Sequence, residues 1–322
     1  MRRVDSGPGI EVVVVGGGVI GLTTAVVLAE RGRRVRVWTR EPAERTTSAV
    51  AGALWWPYRI EPESLVGEWS LESLAVYEEL AGRSNETGVR LVEGVHGGTR
   101  LDSLGPWAAR VPGLRPAHAG EWAAGTALRA RLPLIDMPAH LAWLRERLTG
   151  AGGIVEEREV TDLAAVGAPV VVNCTGLGAR ALVPDPAMRP VRGQLVVVEN
   201  PGITTWLTSV DLASDSPTYV FPQPGRLLLG GTAEEDDWSL TPDPAVAERI
   251  VERCAALRPE IAGARVLEHR VGLRPTRHAV RLEREELPDG RVLVHNYGHG
   301  GAGVTVAWGC ARRAAALAYP AA

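Results

Sequence analysis

The chain has 322 residues, 45% of them hydrophobic and 23% charged, with a formal net charge of -3; this is an ordinary globular balance, long enough for one large or two interlocked domains. There is no basic tail or block of like charges, and no run approaches the ~20 apolar residues of a membrane span, so nucleic acid and membrane are excluded as partners. All 35 basic residues are arginine, which excludes pyridoxal phosphate enzymes and Walker A nucleotide binders, since both need a lysine.

The opening "MRRVDSGPGI" lacks the apolar core of a secretory leader, and the closing "AAALAYPAA" lacks a peroxisomal signal, so the expected location is the cytoplasm. Residues 11–15 read as a buried parallel strand, 19–31 as a helix and 34–39 as a second strand, one right-handed βαβ unit. A loop rich in Thr, Ser and Gly covers residues 46–53, and "LWWPYRIEP" follows it. A helix is expected over 69–81 behind Glu68, then loops with short strands over 91–132. "MPAHLAWLRERLTGAGG" has helical period and a glycine stop. A short apolar strand over 170–172 runs into "NCTGLGARAL". Residues 191–231 alternate strands and turns, and "PDPAVAERIVERCAAL" supplies an amphipathic helix. The end is a strand, a glycine loop and an alanine-rich helix.

Segments of α/β character thus bracket a mainly β middle. The predicted fold class is α/β: a Rossmann-like nucleotide domain with an interleaved, sheet-based α+β substrate domain. The boundaries are residues 1–65, 134–185 and 270–322 for the first, and 66–133 and 186–269 for the second. Cys174, Cys254 and Cys310 are odd in number and lack CxxC spacing, so they read as buried small hydrophobes rather than disulfides or zinc ligands.

Gly16-Gly17-Gly18-Val19-Ile20-Gly21 satisfies G-x-G-x-x-G between a predicted strand and a predicted helix, the context a dinucleotide fingerprint requires. The first glycine permits the turn, the second the approach of a pyrophosphate, and the third close helix packing, with the helix N-terminus facing the anion. At the end of the second strand stand Arg40 and Glu41. An acid there takes ribose hydroxyls and an arginine takes the extra phosphate of NADP, so position leaves NADP and FAD both open.

The strings "TTSAVAGALWWPY", "VVNCTGLGARAL", "RGQLVVV", "TYVFP", "LLLGGT", "GLRPTRHAVRLERE" and "HNYGHGGAGVTVAWGCA" occur in one order over nearly the whole chain. Together they closely resemble the D-amino acid oxidase family of flavoenzymes. The resemblance implies a Rossmann-like FAD-binding domain, non-covalent FAD, and a substrate domain whose sheet covers the flavin. It assigns Gly16, Gly18, Val19, Ile20 and Gly21 to the pyrophosphate, and Arg40 and Glu41 to the adenosine end. Thr47, Ser48, Gly52, Ala53 and Leu54 fall to the phosphate and flavin side; Val160, Thr175 and Gly176 flank the adenine and ribityl regions. Gly300, Gly301, Gly303, Val304 and Thr305 belong to the terminal glycine loop and the helix whose positive end meets the flavin.

An amino-acid carboxylate is best held by a bidentate arginine, and "GLRPTRH" offers Arg274 and Arg277; the motif match selects Arg274, which also borders the cofactor. Tyr219 matches the tyrosine that hydrogen-bonds the same carboxylate, and the carbonyl of Gly301 would accept from the substrate amine. Leu54, Trp56 and Phe221 match positions lining the side-chain pocket. His295 and His299 lie across a strand end and a glycine loop rather than on one helix face, and no metal is expected.

The implied reaction is oxidative deamination of a D-amino acid by hydride transfer to flavin, giving a 2-oxo acid and ammonia, with dioxygen reduced to hydrogen peroxide. Catalysis is expected to be mostly orientation. D-aspartate oxidases carry a second arginine shortly before the tyrosine; "TSVDLASDSPTY" has none and carries Asp211 and Asp215, so a neutral side chain is favoured. The same stretch is short and lacks a second tyrosine, which predicts an open entrance. The alternatives are a glycine- or sarcosine-type amine oxidase, a D-aspartate oxidase, a non-catalytic flavin-binding sensor and an NADP-dependent reductase. The expected partners are a small D-amino acid and dioxygen, with a homodimer admitted.

Overall fold

The computed structural model describes residues 11–122, 125–209 and 217–320. Its strands are β1 (Val12–Val15), β2 (Val35–Thr39), β3 (Val89–Gly97), β4 (Arg115–Pro116), β5 (Ala127–Ile135), β6 (Ile154–Glu157) and β7 (Val170–Asn173). They continue as β8 (Arg189–Glu199), β9 (Trp206–Ser209), β10 (Thr218–Gln223), β11 (Arg226–Gly230), β12 (Glu234–Glu235), β13 (Val266–Glu286) and β14 (Val292–His299). One sheet runs in the order β4-β5-β3-β9-β10-β11-β8-β13-β14-β7-β1-β2-β6, with β12 beside β8.

The end β14-β7-β1-β2-β6 is parallel throughout. Parallel strands are buried on both faces, which is why β1 is four consecutive valines with no polar alternation. Val12 and Val14 pack with Leu22, Val26, Ala307 and Ala311 of the helices Val19–Glu30 and Gly303–Ala318. Val13 and Val15 face the other way, onto Trp38, Leu163, Val166 and Leu293. The rest of the sheet is antiparallel apart from the β3–β9 pair. Here Val196, Val198, Val220, Leu227 and Leu229 bury an outer face under the helix Pro244–Leu257. That helix starts as its sequence suggests: the Asp243 carboxylate accepts from the Ala245 and Val246 amides ahead of Pro244. The alternate residues Leu195, Val197, Phe221 and Leu228 face inward to the main core.

Three expectations need correction. The helix expected over 69–81 is Glu63–Leu80, so Glu68 lies within it rather than before it. Its start is set by Pro62, in extended backbone at the cap position, and by packing of Val66 and Trp69 on Val306 and Cys310, a contact that no local pattern announces. Residues 91–132 are not only loops with short strands: β3 and β5 are nine residues each and pair along their full length. Their glycine, arginine and proline content hides the alternation that marks a strand. Finally, His299 is the last residue of β14 rather than part of the loop.

The interlocking of parallel and antiparallel parts runs through β13, which spans 21 residues and pairs with β8 on one side and β14 on the other. Behind the β13–β14 seam, Asp185 is 7% exposed and accepts hydrogen bonds from the Tyr297 hydroxyl at 2.8 Å, Arg277 Nε at 3.0 Å and the Ala187 amide at 3.0 Å. Arg281 Nη1 donates in turn to the Tyr297 oxygen at 2.8 Å. Burial pushes the Asp185 carboxyl up, but the bonds from Tyr297 and Arg277 outweigh it and hold the group below its ordinary range.

A depressed carboxylate adds stability that is complete above its unfolded pKa and is lost as pH falls through the folded one. Asp185→Asn is therefore expected to cost about 2 kcal/mol at neutral pH. The difference from the parent should shrink steadily below about pH 4. Denaturant unfolding of both proteins across that range checks it; a pH-independent difference would contradict the assignment.

Candidate active site

β1 delivers the chain to Gly16, whose φ of 116° no side chain readily adopts and where a Cβ would overlap the carbonyl of Cys174. A Cβ on Gly21 would likewise overlap the Gly16 carbonyl, so the helix Val19–Glu30 seats directly on the strand end. At Gly18 a Cβ would stand 2.9 Å from the Ser48 hydroxyl. Ser48 Oγ accepts from the Val19 amide at 3.0 Å, so one donor of this otherwise uncapped helix already faces an oxygen. Neither this helix nor Gly303–Ala318 carries an acid in its first turn. Two uncapped, acid-free N-termini on close-approach glycine loops fit an anionic dinucleotide.

The other predicted cofactor residues surround this frame. Gly17, Thr39, Pro42, Ala43, Arg145 and Glu157 line a cavity of 120 Å³. The Arg40 side chain is 71% exposed and lies 3.9 Å from Glu41, whose carbonyl accepts from Thr39 Oγ1. Val160 packs beside Val13, Val15 and Trp38. Thr175 donates its amide and hydroxyl to Asn173 Oδ1, and Gly176 lies against Pro275, next to Arg274. Thr47 lies against Gly272 of β13.

His299 precedes Gly300 and Gly301, is 3% exposed, and keeps Nε2 without a hydrogen-bond partner. Burial pushes its pKa down to about 3, so the ring is neutral. An unpartnered buried nitrogen costs about 1–3 kcal/mol, a cost that a polar group reaching it would remove.

The substrate side rests on missing side chains. The Arg274 guanidinium lies over Gly193, where a Cβ would come within 2.5 Å of it. Its Nη1 donates to the carbonyls of Thr232 at 3.0 Å and Arg192 at 3.4 Å, and among the described residues it has no acidic partner. The Tyr219 ring lies over Gly230, its cross-strand neighbour, in the place a Cβ would fill, and stacks on Phe221 at 4.6 Å and 14°. Burial pushes the Tyr219 hydroxyl up and the nearby Arg274 charge pulls it down; burial wins, so tyrosine remains a donor. A Cβ on Gly52 would meet Phe221 at 2.8 Å, and one on Gly301 would meet Arg274 at 3.4 Å and Tyr58 at 3.6 Å. Arg274, Gly301 and Tyr58 thus converge on one side, Tyr219, Phe221 and Gly52 on the other.

Residues 52–58 connect the two sides. Leu54 bridges to Leu134, Trp55 is fully buried, and Trp56 is half-buried against His96 and Trp107. The Thr305 hydroxyl accepts from the Trp56 amide and donates to its carbonyl, so the terminal helix holds this segment through Thr305, while the Val304 carbonyl accepts from Tyr77. Gly193, Gly230 and Tyr58 were not picked out from the sequence as site residues. The signal was a glycine inside an apolar strand run, in "RGQLVVV" and "LLLGGT", which marks close approach of another group. Asp211 and Asp215 lie outside the described residues. Among the described residues no cluster of His, Cys, Asp and Glu could hold a metal ion, the three cysteines are free and buried, and no helix is long and apolar enough to cross a membrane.

Comparison with known proteins adds three findings. A family model described as "DAO: FAD dependent oxidoreductase" matches residues 11–317. A D-amino-acid oxidase of Streptomyces coelicolor is 76% identical over 96% of both chains, and one of Rubrobacter xylanophilus is 52% identical over 95% of both. Among solved structures, glycine oxidase from Bacillus cereus superposes with a TM-score of 0.80 over 96% of this chain and 95% of its own, at 19% identity; that likeness is one of fold.

Since the guanidinium occupies the space above Gly193, Gly193→Ala should displace it. The expected result is about tenfold weaker binding of amino-acid carboxylates, the loss of one charge-assisted hydrogen bond, with cofactor content retained. Calorimetric titration reads it, and unchanged affinity would show that Arg274 is not the carboxylate fork.

Proposed function

The chain belongs to the DAO family of FAD-dependent oxidoreductases, and on that premise we propose that it oxidises neutral D-amino acids between Arg274, Tyr219 and Gly301. The products are the 2-oxo acid, ammonia and hydrogen peroxide, dioxygen being the final acceptor. The observation that carries the reading is the half-buried Arg274, laid flat on Gly193 without an acidic partner among the described residues, beside a tyrosine kept protonated by burial. The names of the curated relatives support the same substrate class.

Gly16, Gly18, Gly21, Ser48 and the loop at Gly300, Gly301 and Gly303 would hold FAD without a covalent bond, and the bound cofactor would supply a two-electron acceptor. The chain's own contribution is orientation. Arg274 forks the substrate carboxylate and Tyr219 donates its hydroxyl to the same group, which fixes two points of the substrate. The Gly301 carbonyl accepts from the amine; with carboxylate and amine both held, the space left for the side chain decides which enantiomer fits. No side chain is needed as a base, in keeping with His96, His140 and His299, whose pKa values burial lowers to about 4, 4 and 3, which leaves them weak proton acceptors. Leu54, Trp56 and Phe221 offer the side chain an apolar wall.

On this reading residues 1–65, 134–185 and 270–322 form the FAD-binding part and 66–133 and 186–269 the substrate part. The parallel strands β14, β7, β1, β2 and β6 all fall within the first, which supports the division. A cytoplasmic setting accords with three buried, unpaired cysteines. Trp238 and Leu240, 52% and 64% exposed, give an apolar surface for a homodimer, whose presence sedimentation velocity would read.

The decisive experiment is an anaerobic absorbance scan of the FAD-loaded protein with D-methionine, then with L-methionine. Bleaching by the D-isomer alone is expected; bleaching by glycine or sarcosine instead, or by neither isomer, would replace this reading with an amine oxidase or a non-catalytic flavoprotein. Arg274→Ala should lower kcat/KM about a hundredfold, mostly through KM, as the carboxylate loses its charged partner.

A further inference from the structure

We propose that His96 is a positioning residue that sets the side-chain preference of the active site by clamping the Trp56 ring; the inference deepens the D-amino acid reading above and rests on it. His96 lies on β3, in register with Thr208 of β9, which is itself in register with Tyr219 of β10. Registered neighbours point to one face of a sheet, so the tyrosine for the carboxylate, the threonine and the histidine form one row.

His96 is 7% exposed, and both of its ring nitrogens are occupied by hydroxyls: Nδ1 meets Thr208 Oγ1 at 2.6 Å and Nε2 meets Thr99 Oγ1 at 2.8 Å. A neutral imidazole has one donor and one acceptor nitrogen, and a hydroxyl serves either, so the two threonines fix the ring plane completely. Against that plane lies Trp56, its centroid 4.6 Å from the imidazole and inclined by 35°. Trp107 packs edge-on against Trp56 at 5.4 Å, and Thr305 holds the Trp56 main chain by both its N–H and its C=O. His96, Trp107 and Thr305 thus hold Trp56 although it belongs to a segment with no regular structure.

The spacing gives this clamp a role in selection. From Tyr219 to His96 is two strand separations, roughly 10 Å. A methyl side chain on a substrate anchored at Tyr219 does not span that distance, whereas a phenyl side chain covers most of it. Trp56, stacked on His96 at the far end of this row, is then felt by long apolar side chains and not by short ones. The row carries no charge, because burial holds the His96 ring neutral with a pKa of about 4, so the wall favours apolar over charged groups.

The test uses Thr208→Val, which keeps the shape and removes one imidazole partner, Thr208→Ser, which keeps the hydroxyl, and Thr99→Val on the opposite nitrogen. On the FAD-loaded protein, kcat and KM are measured for D-alanine and D-phenylalanine, and the Kd of the product acids pyruvate and phenylpyruvate by calorimetry. Thr208→Val and Thr99→Val should each lower the D-phenylalanine to D-alanine ratio of kcat/KM about tenfold, through KM rather than kcat, with Thr208→Ser close to the parent. The phenylpyruvate to pyruvate affinity ratio should fall in parallel. Equal losses for both substrates, or an unchanged ratio in both valine variants, would overturn the clamp; if one valine variant fails to fold, the other decides. A parent protein that oxidises neither D-amino acid, but whose oxo-acid selectivity responds to the valine variants, would overturn the functional reading and leave the clamp standing.

Discussion

Main chain lies closer to main chain, and to rings, than any side chain allows, and the molecule depends on this. Gly21 sits on the carbonyl of Gly16, Gly16 on the carbonyl of Cys174, and Gly309 on the backbone of Trp69. The first two contacts put the N-terminus of Val19–Glu30 at the end of β1, where its unpaired amides gather positive potential. The third lets the helix Glu63–Leu80 lie against Gly303–Ala318, tied by Ser73 Oγ accepting from the Gly309 amide. Two helix N-termini are thereby brought to bear on one region of the sheet.

The same device serves the substrate side. Two glycines in strands, Gly193 and Gly230, leave shallow spaces into which a guanidinium and a phenol ring settle. Strand interiors normally carry side chains that pack, so these positions give up packing for placement of Arg274 and Tyr219. Burial then sorts the charges. It raises the tyrosine and lowers the histidines His96, His140 and His299, leaving a donor beside Arg274 and neutral rings elsewhere.

β13 joins the two halves. It carries Arg274 in its middle, pairs with β8 on one side and with β14 on the other, and is braced by Asp185, Arg277, Tyr297 and Arg281. Because the brace is a buried carboxylate with three donors, removing any member leaves a desolvated polar group behind. The position of Arg274 between its two neighbouring strands is thus secured outside the pocket itself.

Local pattern made much of this legible in the sequence. Four valines followed by G-x-G-x-x-G and an apolar helix specify a strand–turn–helix wherever they occur, and the family strings carried Arg274, Tyr219, Phe221 and Gly301 to positions that the fold brings together. What the sequence left open depends on contacts between distant residues. β13 reads as a run of charges because its arginines and glutamates pair with one another, as in Arg270 with Glu268 and Arg281 with Glu283, so no apolar alternation marks it. The helix at Glu63 begins where it does because Val66 and Trp69 meet a helix more than two hundred residues away in the sequence. Gly193 looks like any strand glycine until Arg274 lies across it, and His96 like any buried histidine until Thr99, Thr208 and Trp56 surround it. The sequence by itself determined the first strand–turn–helix, the cofactor loop and the family. Only the tertiary structure decided which glycines are floors and which aromatic ring is clamped, because a floor or a clamp is defined by what lies against it.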